Sequence, residues 1–337
     1  MTKPRLISIQ TKEENSTSYA ISKARSDVNK IVDAHGYVPL VLGSTSRVGL
    51  FRVLKRHYDI FSLRFRLRSS DKVFFQYPWI HNNKPDFYHN LFGSGAEVNC
   101  IIHDLDYLRT AEQRFIPEFE QLKNCSHIIA HTPVMKDYLV DHGIEPQKIS
   151  VLFMFDYLTD DPIHHFAPKD IPTVIFAGNL TKSPFVDRLC EISSPGLQFS
   201  LYGNGAEHFK ESDYVKYNGT FSPHHPGKIK GNWGLVWDGS DTATCNGTYG
   251  AYLRYNASHK ASLYLSLGIP LIIWAESGLK SFVKEHHLGI AVSSLSELEH
   301  KLSHLTPEEI EAYQHSARTI ATSIRSGEML NAQMSEL

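Results

Sequence analysis

Along nearly all of its 337 residues the chain alternates short β-branched or aromatic runs with longer stretches whose apolar positions recur every three or four residues. Such alternation directs a chain into α/β units, because parallel strands need a crossover and an amphipathic helix is the crossover that also covers the sheet. In the first half, Leu6 to Ile9, Val38 to Leu42, Val73 to Gln76, Val98 to Ile102, His127 to Ala130 and Ser150 to Phe153 read as strands. Between the first two, Ala20, Ile21, Ala24, Val28, Ile31 and Val32 give a helix one apolar face. The stretch DYLTDDPIHHFAPKDIP after Phe155 follows neither period and has the composition of a linker. The pattern then restarts with Thr173 to Ala177, Gln198 to Tyr202, Tyr214 to Tyr217, Gly234 to Trp237, Pro270 to Trp274 and Gly289 to Val292. Ser294 with Glu297, and Thr306-Pro307 with Glu309, mark two helix starts as capping boxes.

The fold class expected is therefore α/β, with two Rossmann-like domains, residues 1–157 and 158–337, facing each other across a cleft. Ligands belong at the carboxyl ends of their strands. A hydrophobic content of 42% and a charged content of 21% suit globular domains. A formal net charge of −2 lacks the basic excess of a nucleic-acid binder. Cys100, Cys125, Cys190 and Cys245 form no CxxC pair, which fits a reducing compartment without structural zinc. The N-terminus shows no signal-peptide core, and the most apolar window, Ala261 to Ala275, is too short and too interrupted to span a bilayer. A cytoplasmic location and a homo-oligomeric assembly are expected.

No glycine-rich turn follows the first strand, where Ile9-Gln10 runs into Thr11-Lys-Glu-Glu-Asn15, so a dinucleotide fingerprint is missing. Glycine turns come later, in FAGNLTKS around Gly178 and LYGNGAE around Gly203, each after an apolar strand. Turns of this kind either bring backbone N–H groups to an anion or are plain turns. A helix beginning near Asn256 would aim its dipole at the same target, with Lys260 on the same face; a solvated lysine behind an asparagine cap is the alternative.

The block from Asn246 to Asn256 (NGTYGAYLRYN), then Ser258-His-Lys260 and Tyr264-Leu-x-x-Gly268-Ile-Pro270, closely resembles the bacterial β-1,6-galactofuranosyltransferases and the glucosyltransferases that extend sugars on serine-rich-repeat adhesins. The similarity extends to AGN at Ala177 to Asn179, GLVWDG at Gly234 to Gly239, FFQYP at Phe74 to Pro78 and IIHD at Ile101 to Asp104. The resemblance implies a GT-B glycosyltransferase with the acceptor on the N-terminal domain and a UDP-sugar on the C-terminal one. Lys260 falls on the family's diphosphate-binding lysine and Asn179 on its asparagine after the first strand of the C-terminal domain. Lys182 and Phe221 stand where relatives carry arginine and tyrosine, so the bidentate fork and the phenolic hydroxyl are lost.

Leaving-group charge would then be met by lysines and helix N-termini, with no metal required as cofactor. Glu276 and Ser277, directly after a buried strand, are candidates for sugar or ribose hydroxyls, or simply a polar loop. The relatives invert configuration, so a general base must take the acceptor's proton; Asp104 is the first candidate and His103 its rival. The alternative for Asp104 is a cap on the helix near Leu108. Asp104-Leu-Asp106 also matches the Asp-x-Asp of metal-dependent transferases. A basic and apolar stretch from Arg47 to Lys72 either rests on an anionic membrane, where a lipid-linked acceptor would be found, or is a surface helix with a core-facing side.

The function expected is transfer of a hexose, galactofuranose or glucose, from a UDP-sugar to a saccharide acceptor on a glycan, glycolipid or glycoprotein. Two rivals remain: a UDP-sugar epimerase or hydrolase, and a non-catalytic UDP-sugar-binding partner of another transferase.

Overall fold

The computed structural model describes residues 3–11, 20–43, 49–79, 85–112, 118–168, 170–207 and 209–337. The chain divides into two units, one formed by Met1–Leu152 with Leu330–Leu337 and the other by Phe153–Met329.

The first unit contains β1 (Leu6–Thr11), α1 (Ala20–Ala34), β2 (Val38–Leu42), α2 (Gly49–Arg66), β3 (Lys72–Tyr77), α3 (Pro85–Phe92), β4 (Glu97–Ile102), α4 (Asp106–Thr110), α5 (Glu118–Leu122), β5 (His127–Ala130), α6 (Pro133–Asp141) and β6 (Ile149–Val151). The second contains β7 (Thr173–Ala177), β8 (Gln198–Tyr202), β9 (Val215–Tyr217), β10 (Trp233–Val236), α7 (Gly247–Tyr252), α8 (His259–Ser266), β11 (Leu271–Trp274), α9 (Lys280–Glu285), β12 (Gly289–Val292), α10 (Leu298–Ser303) and α11 (Pro307–Ser326). α12 (Glu328–Met334) carries the chain back to the first unit.

Each strand expected from sequence is present, shifted at its ends by at most two residues. Both sheets are six-stranded and wholly parallel, in the orders β2-β1-β3-β4-β5-β6 and β12-β11-β10-β7-β8-β9. The second order is the Rossmann one, which reverses direction between its first strand, β7, and its fourth, β10. Helices on both faces bury the central strands completely, so β10 and β11 read as continuous apolar runs instead of alternating. α1 packs Ala24, Val28, Ile31 and Val32 inward, as its period requires; the side chains of Ala20 and Ile21 lie outside the described residues. Both capping boxes form, Ser294 with Glu297 and Thr306 with Glu309.

The domain boundary differs from the sequence expectation of 157/158. The segment after Phe155 has a linker's composition but is packed into the second unit. Tyr157 donates its N–H to Ile324 O (3.0 Å) and its hydroxyl to Pro223 O (2.6 Å), and Asp161 accepts from Gly227 N (2.6 Å). At the other end, Asn331 meets His35 at 2.8 Å, which ties the C-terminal residues to the first unit. Cys100 and Cys125, distant in sequence, bring their free thiols to 3.7 Å of each other inside the first unit.

Candidate functional site

Where strand order reverses, the loops after the two flanking strands part and leave room for a ligand. In the second sheet those loops begin with Gly178 after β7 and with Trp237-Asp238 after β10. Into this place α8 delivers Lys260, the second residue of the helix, whose Nζ lies 2.8 Å from Asp238 Oδ2. The pair is about four-fifths buried, with side-chain exposures of 17% and 21%. Ser183 Oγ donates to the other carboxylate oxygen at 3.4 Å, and the ammonium lies 5.4 Å from the centre of the Phe176 ring.

Gly178 lies alongside the lysine stem: a Cβ there would come to 3.3 Å of Lys260 Cε, a tight contact with a flexible side chain. Gly203 answers a tighter demand: at φ +130° its absent Cβ would fall 1.7 Å from Gly178 O. The two glycine turns therefore press on each other. Their own N–H groups are bonded within the sheet and its loops, Gly178 donating to Tyr202 O (2.9 Å) and Gly203 to Gly219 O (3.0 Å). The expectation that these N–H groups present themselves to an anion is corrected accordingly; the glycines serve close packing.

Asn179 caps the short turn Leu180–Lys182, its Oδ1 accepting from Lys182 N at 3.1 Å. That turn holds the exposed Lys182 beside the glycine pair. Asn256 is not where the sequence suggested. Its N–H bonds to Tyr252 O (3.1 Å), so it closes the turn after α7, and Ser258 occupies the N-cap of α8. Asn256 and Lys260 therefore do not share a helix face. Asn256 Oδ1 is buried and finds no hydrogen-bond partner among the described residues. Ser258 makes no side-chain cap bond to the first turn of α8.

After β11, Glu276 takes Arg254 Nη2 at 2.6 Å and Nε at 3.0 Å, while that guanidinium lies 4.5 Å from the centre of the Trp274 ring. Ser277 is buried, its Oγ accepting from Leu279 N at 3.2 Å. Phe221 is half-buried on the loop after β9, beyond β8 from β7. The tertiary structure thus gathers Gly178, Asn179, Lys260 and Gly203. Asp238 and Arg254 were not assigned roles from sequence. A carboxylate directly after an apolar strand, in GLVWDG, was the available signal for Asp238.

In the first unit His103 and Asp104 follow β4, again at a carboxyl end. His103 Nε2 lies 2.6 Å from Gln76 Oε1. Gln76 Nε2 faces Asn29 Oδ1 (2.7 Å) and Arg25 O (3.2 Å); the second is a carbonyl and can only accept, which fixes the amide with its oxygen toward the histidine. His103 Nε2 therefore carries a proton, and in the neutral ring Nδ1 is the basic nitrogen. Asp104 does not cap a helix. Leu105 holds the N-cap of α4, and Asp104 instead receives Arg109 Nη1 at 2.7 Å. The cap comes from Glu118, whose two carboxylate oxygens accept from Asp106 N and Tyr107 N, each at 3.0 Å. Burial raises its pKa to about 8, against the pull of those N–H donors. Burial also lowers His131, which meets Ile102 O at 2.7 Å, to about 4. Among the described residues, no group of three or more His, Cys, Asp or Glu is arranged to hold a metal ion.

Two Rossmann-like domains, with a buried lysine at the topological switch point of the second, have the architecture of the GT-B class of glycosyltransferases. A solved structure of Anabaena Alr3699/HepE in complex with UDP and glucose shares this fold at a TM-score of 0.61, covering 99% of this chain and 100% of that one at 11% identity. The chain belongs to the Glucosyltransferase 3-like family: residues 7–154 match its N-terminal domain and 174–337 its C-terminal domain. It is 31% identical over 280 residues to the β-1,6-galactofuranosyltransferase WbbI of Escherichia coli (strain K12), covering 80% of each chain. It is 28% identical over 238 residues to Glucosyltransferase 3 of Streptococcus gordonii, covering 69% of this chain and 68% of that one.

Proposed function

We propose that the protein transfers a hexose, galactofuranose or glucose, from a UDP-sugar to a saccharide acceptor with inversion at the sugar carbon and without a metal cofactor. The observation that carries the reading is the Lys260 ammonium, held by Asp238 beside Gly178 at the switch point of the second sheet. A diphosphate there would draw the Lys260 ammonium away from Asp238 and meet the N-terminal turn of α8. Both stabilise the charge that develops on UDP as the glycosidic bond breaks. Lys182 would add a second cation, and the Arg254–Glu276 pair would meet sugar or ribose hydroxyls.

The acceptor oxygen attacks the sugar carbon, the bond to UDP breaks from the opposite face, and the acceptor's proton passes to a base on the first unit. Asp104, paired with Arg109, and His103, fixed through Gln76, are the candidates. The acceptor saccharide would be carried on a glycan, lipid or protein. With a lipid carrier, the enzyme would work at the inner face of the cell membrane.

The test incubates the pure protein with a panel of UDP-hexoses and a simple acceptor. Donor-dependent formation of one glycoside, undiminished by chelator, is the expected result. Donor turnover at a comparable rate without acceptor would instead make the protein an epimerase or hydrolase. UDP binding with no turnover would leave it a binding partner. Activity lost with chelator and restored by manganese would overturn the metal-independent mechanism.

A further inference from the structure

Of the eleven large apolar side chains exposed among the described residues, six lie on α2: Phe51, Val53, Leu54, Tyr58, Phe61 and Phe65. All but Val53 follow one another at spacings of three and four, which places them within an arc of roughly 80° on the helix surface. This is a second apolar face. The first is on the other side of the helix, where Ile60 and Leu63 are 2% and 0% exposed and anchor α2 to the core. A helix with one packed face normally turns a polar face to water; here Phe61 and Phe65 stay 55% and 71% exposed and stack edge to face at 5.5 Å.

Charge decides what this face is for. Lys55 and Arg66 border the stripe on one side and Arg64 on the other, with Arg68 just past the helix end. The nearby acids are turned inward. Asp59 is 2% exposed and bonds Gly43 N and Lys55, while Asp71 is 1% exposed and bonds Arg5 and Arg68 N. The outer surface of α2 is therefore apolar along its middle and cationic along both margins. A second copy of the helix would oppose like charges across that stripe. A bilayer of anionic phospholipid matches both features, since aromatic rings settle at the boundary of headgroups and acyl chains while basic heads reach phosphate.

We infer that α2 is an interfacial helix that lies on an anionic phospholipid surface, with Tyr58, Phe61 and Phe65 at headgroup depth and Arg64 and Arg66 among the phosphates. Arg47 and the side chain of Arg52 lie outside the described residues. The contact rests on the glycosyl-transfer reading only for its purpose, which is to hold the enzyme where a lipid-carried acceptor is found.

The test is sedimentation of the full chain with vesicles of phosphatidylglycerol or phosphatidylcholine at low and high salt. Binding should favour phosphatidylglycerol by about tenfold or more and fall as salt screens the basic margins. The outward-facing double substitution Phe61→Ser with Phe65→Ser, and separately Arg64→Glu, should each weaken it by about tenfold or more while transfer to a soluble acceptor stays unchanged. Absence of binding to phosphatidylglycerol, or equal binding by the variants, overturns the inference. So does a dimer that dissociates on the double substitution, which would make the stripe a contact between copies. Vesicle binding without glycosyl transfer upholds the surface and removes the proposed reaction; transfer without vesicle binding does the reverse.

Discussion

Lys260 Nζ lies 2.8 Å from Asp238 Oδ2 across the switch point of the second sheet, so the lysine proposed to meet a diphosphate is held by a carboxylate 22 positions earlier. Lys260→Ala should weaken UDP binding by about 10- to 100-fold, the usual worth of a hydrogen bond to a charged group. Asp238→Ala should cost less, because it releases the lysine without removing it. In the double variant the Asp238 effect should vanish, and isothermal titration of all four proteins measures that coupling. Additive losses would show that the two residues act separately.

Gly203→Ala should destabilise the second unit by about 2 kcal/mol or more, since its methyl group cannot coexist with Gly178 O and the φ is left-handed. Gly219→Ala, also at positive φ but with open space around it, should cost only about 1 kcal/mol. Urea midpoints of the two variants give the comparison.

Two buried groups of opposite sign, Glu118 and His131, should each make stability vary with pH. Glu118, raised to about 8, keeps its proton in the folded state, so its contribution is full below the unfolded carboxyl value and is lost as pH rises toward 8. His131, lowered to about 4, stays neutral when folded, so its contribution is full above the unfolded histidine value and is lost as pH falls toward 4. Between roughly pH 4.5 and 6.5 the two slopes oppose each other, and above that Glu118 alone lowers stability up to about 8. Glu118→Gln should remove the alkaline decline in urea-unfolding curves; a persistent decline would assign it elsewhere.

His103 should appear in its neutral form as the Nε2–H tautomer, read from two-bond proton–nitrogen correlations. Gln76→Leu should allow the other tautomer and lower kcat more than it raises KM for the donor. In parallel, Asp104→Asn should retain UDP affinity and lose transfer if the carboxylate takes the proton. Should Asp104→Asn stay active while His103→Ala does not, the base is the histidine.

The sequence by itself determined the local structure. Periodicity placed all twelve strands, capping residues placed two helix starts, and the run from Asn246 to Pro270 marked Lys260, because each signal is carried by neighbours within a few positions of one another. Tertiary structure decided what those elements bring together. Asp238 meets Lys260 only because β10 lies beside β7, and Gly178 and Gly203 are glycines for a contact between two turns. Gln76 orients His103 because β3 and β4 are adjacent, and Asn256 ends one turn instead of starting the next helix. Strand order is set by which apolar faces bury the most surface together, a property of the whole chain that no short window of residues contains.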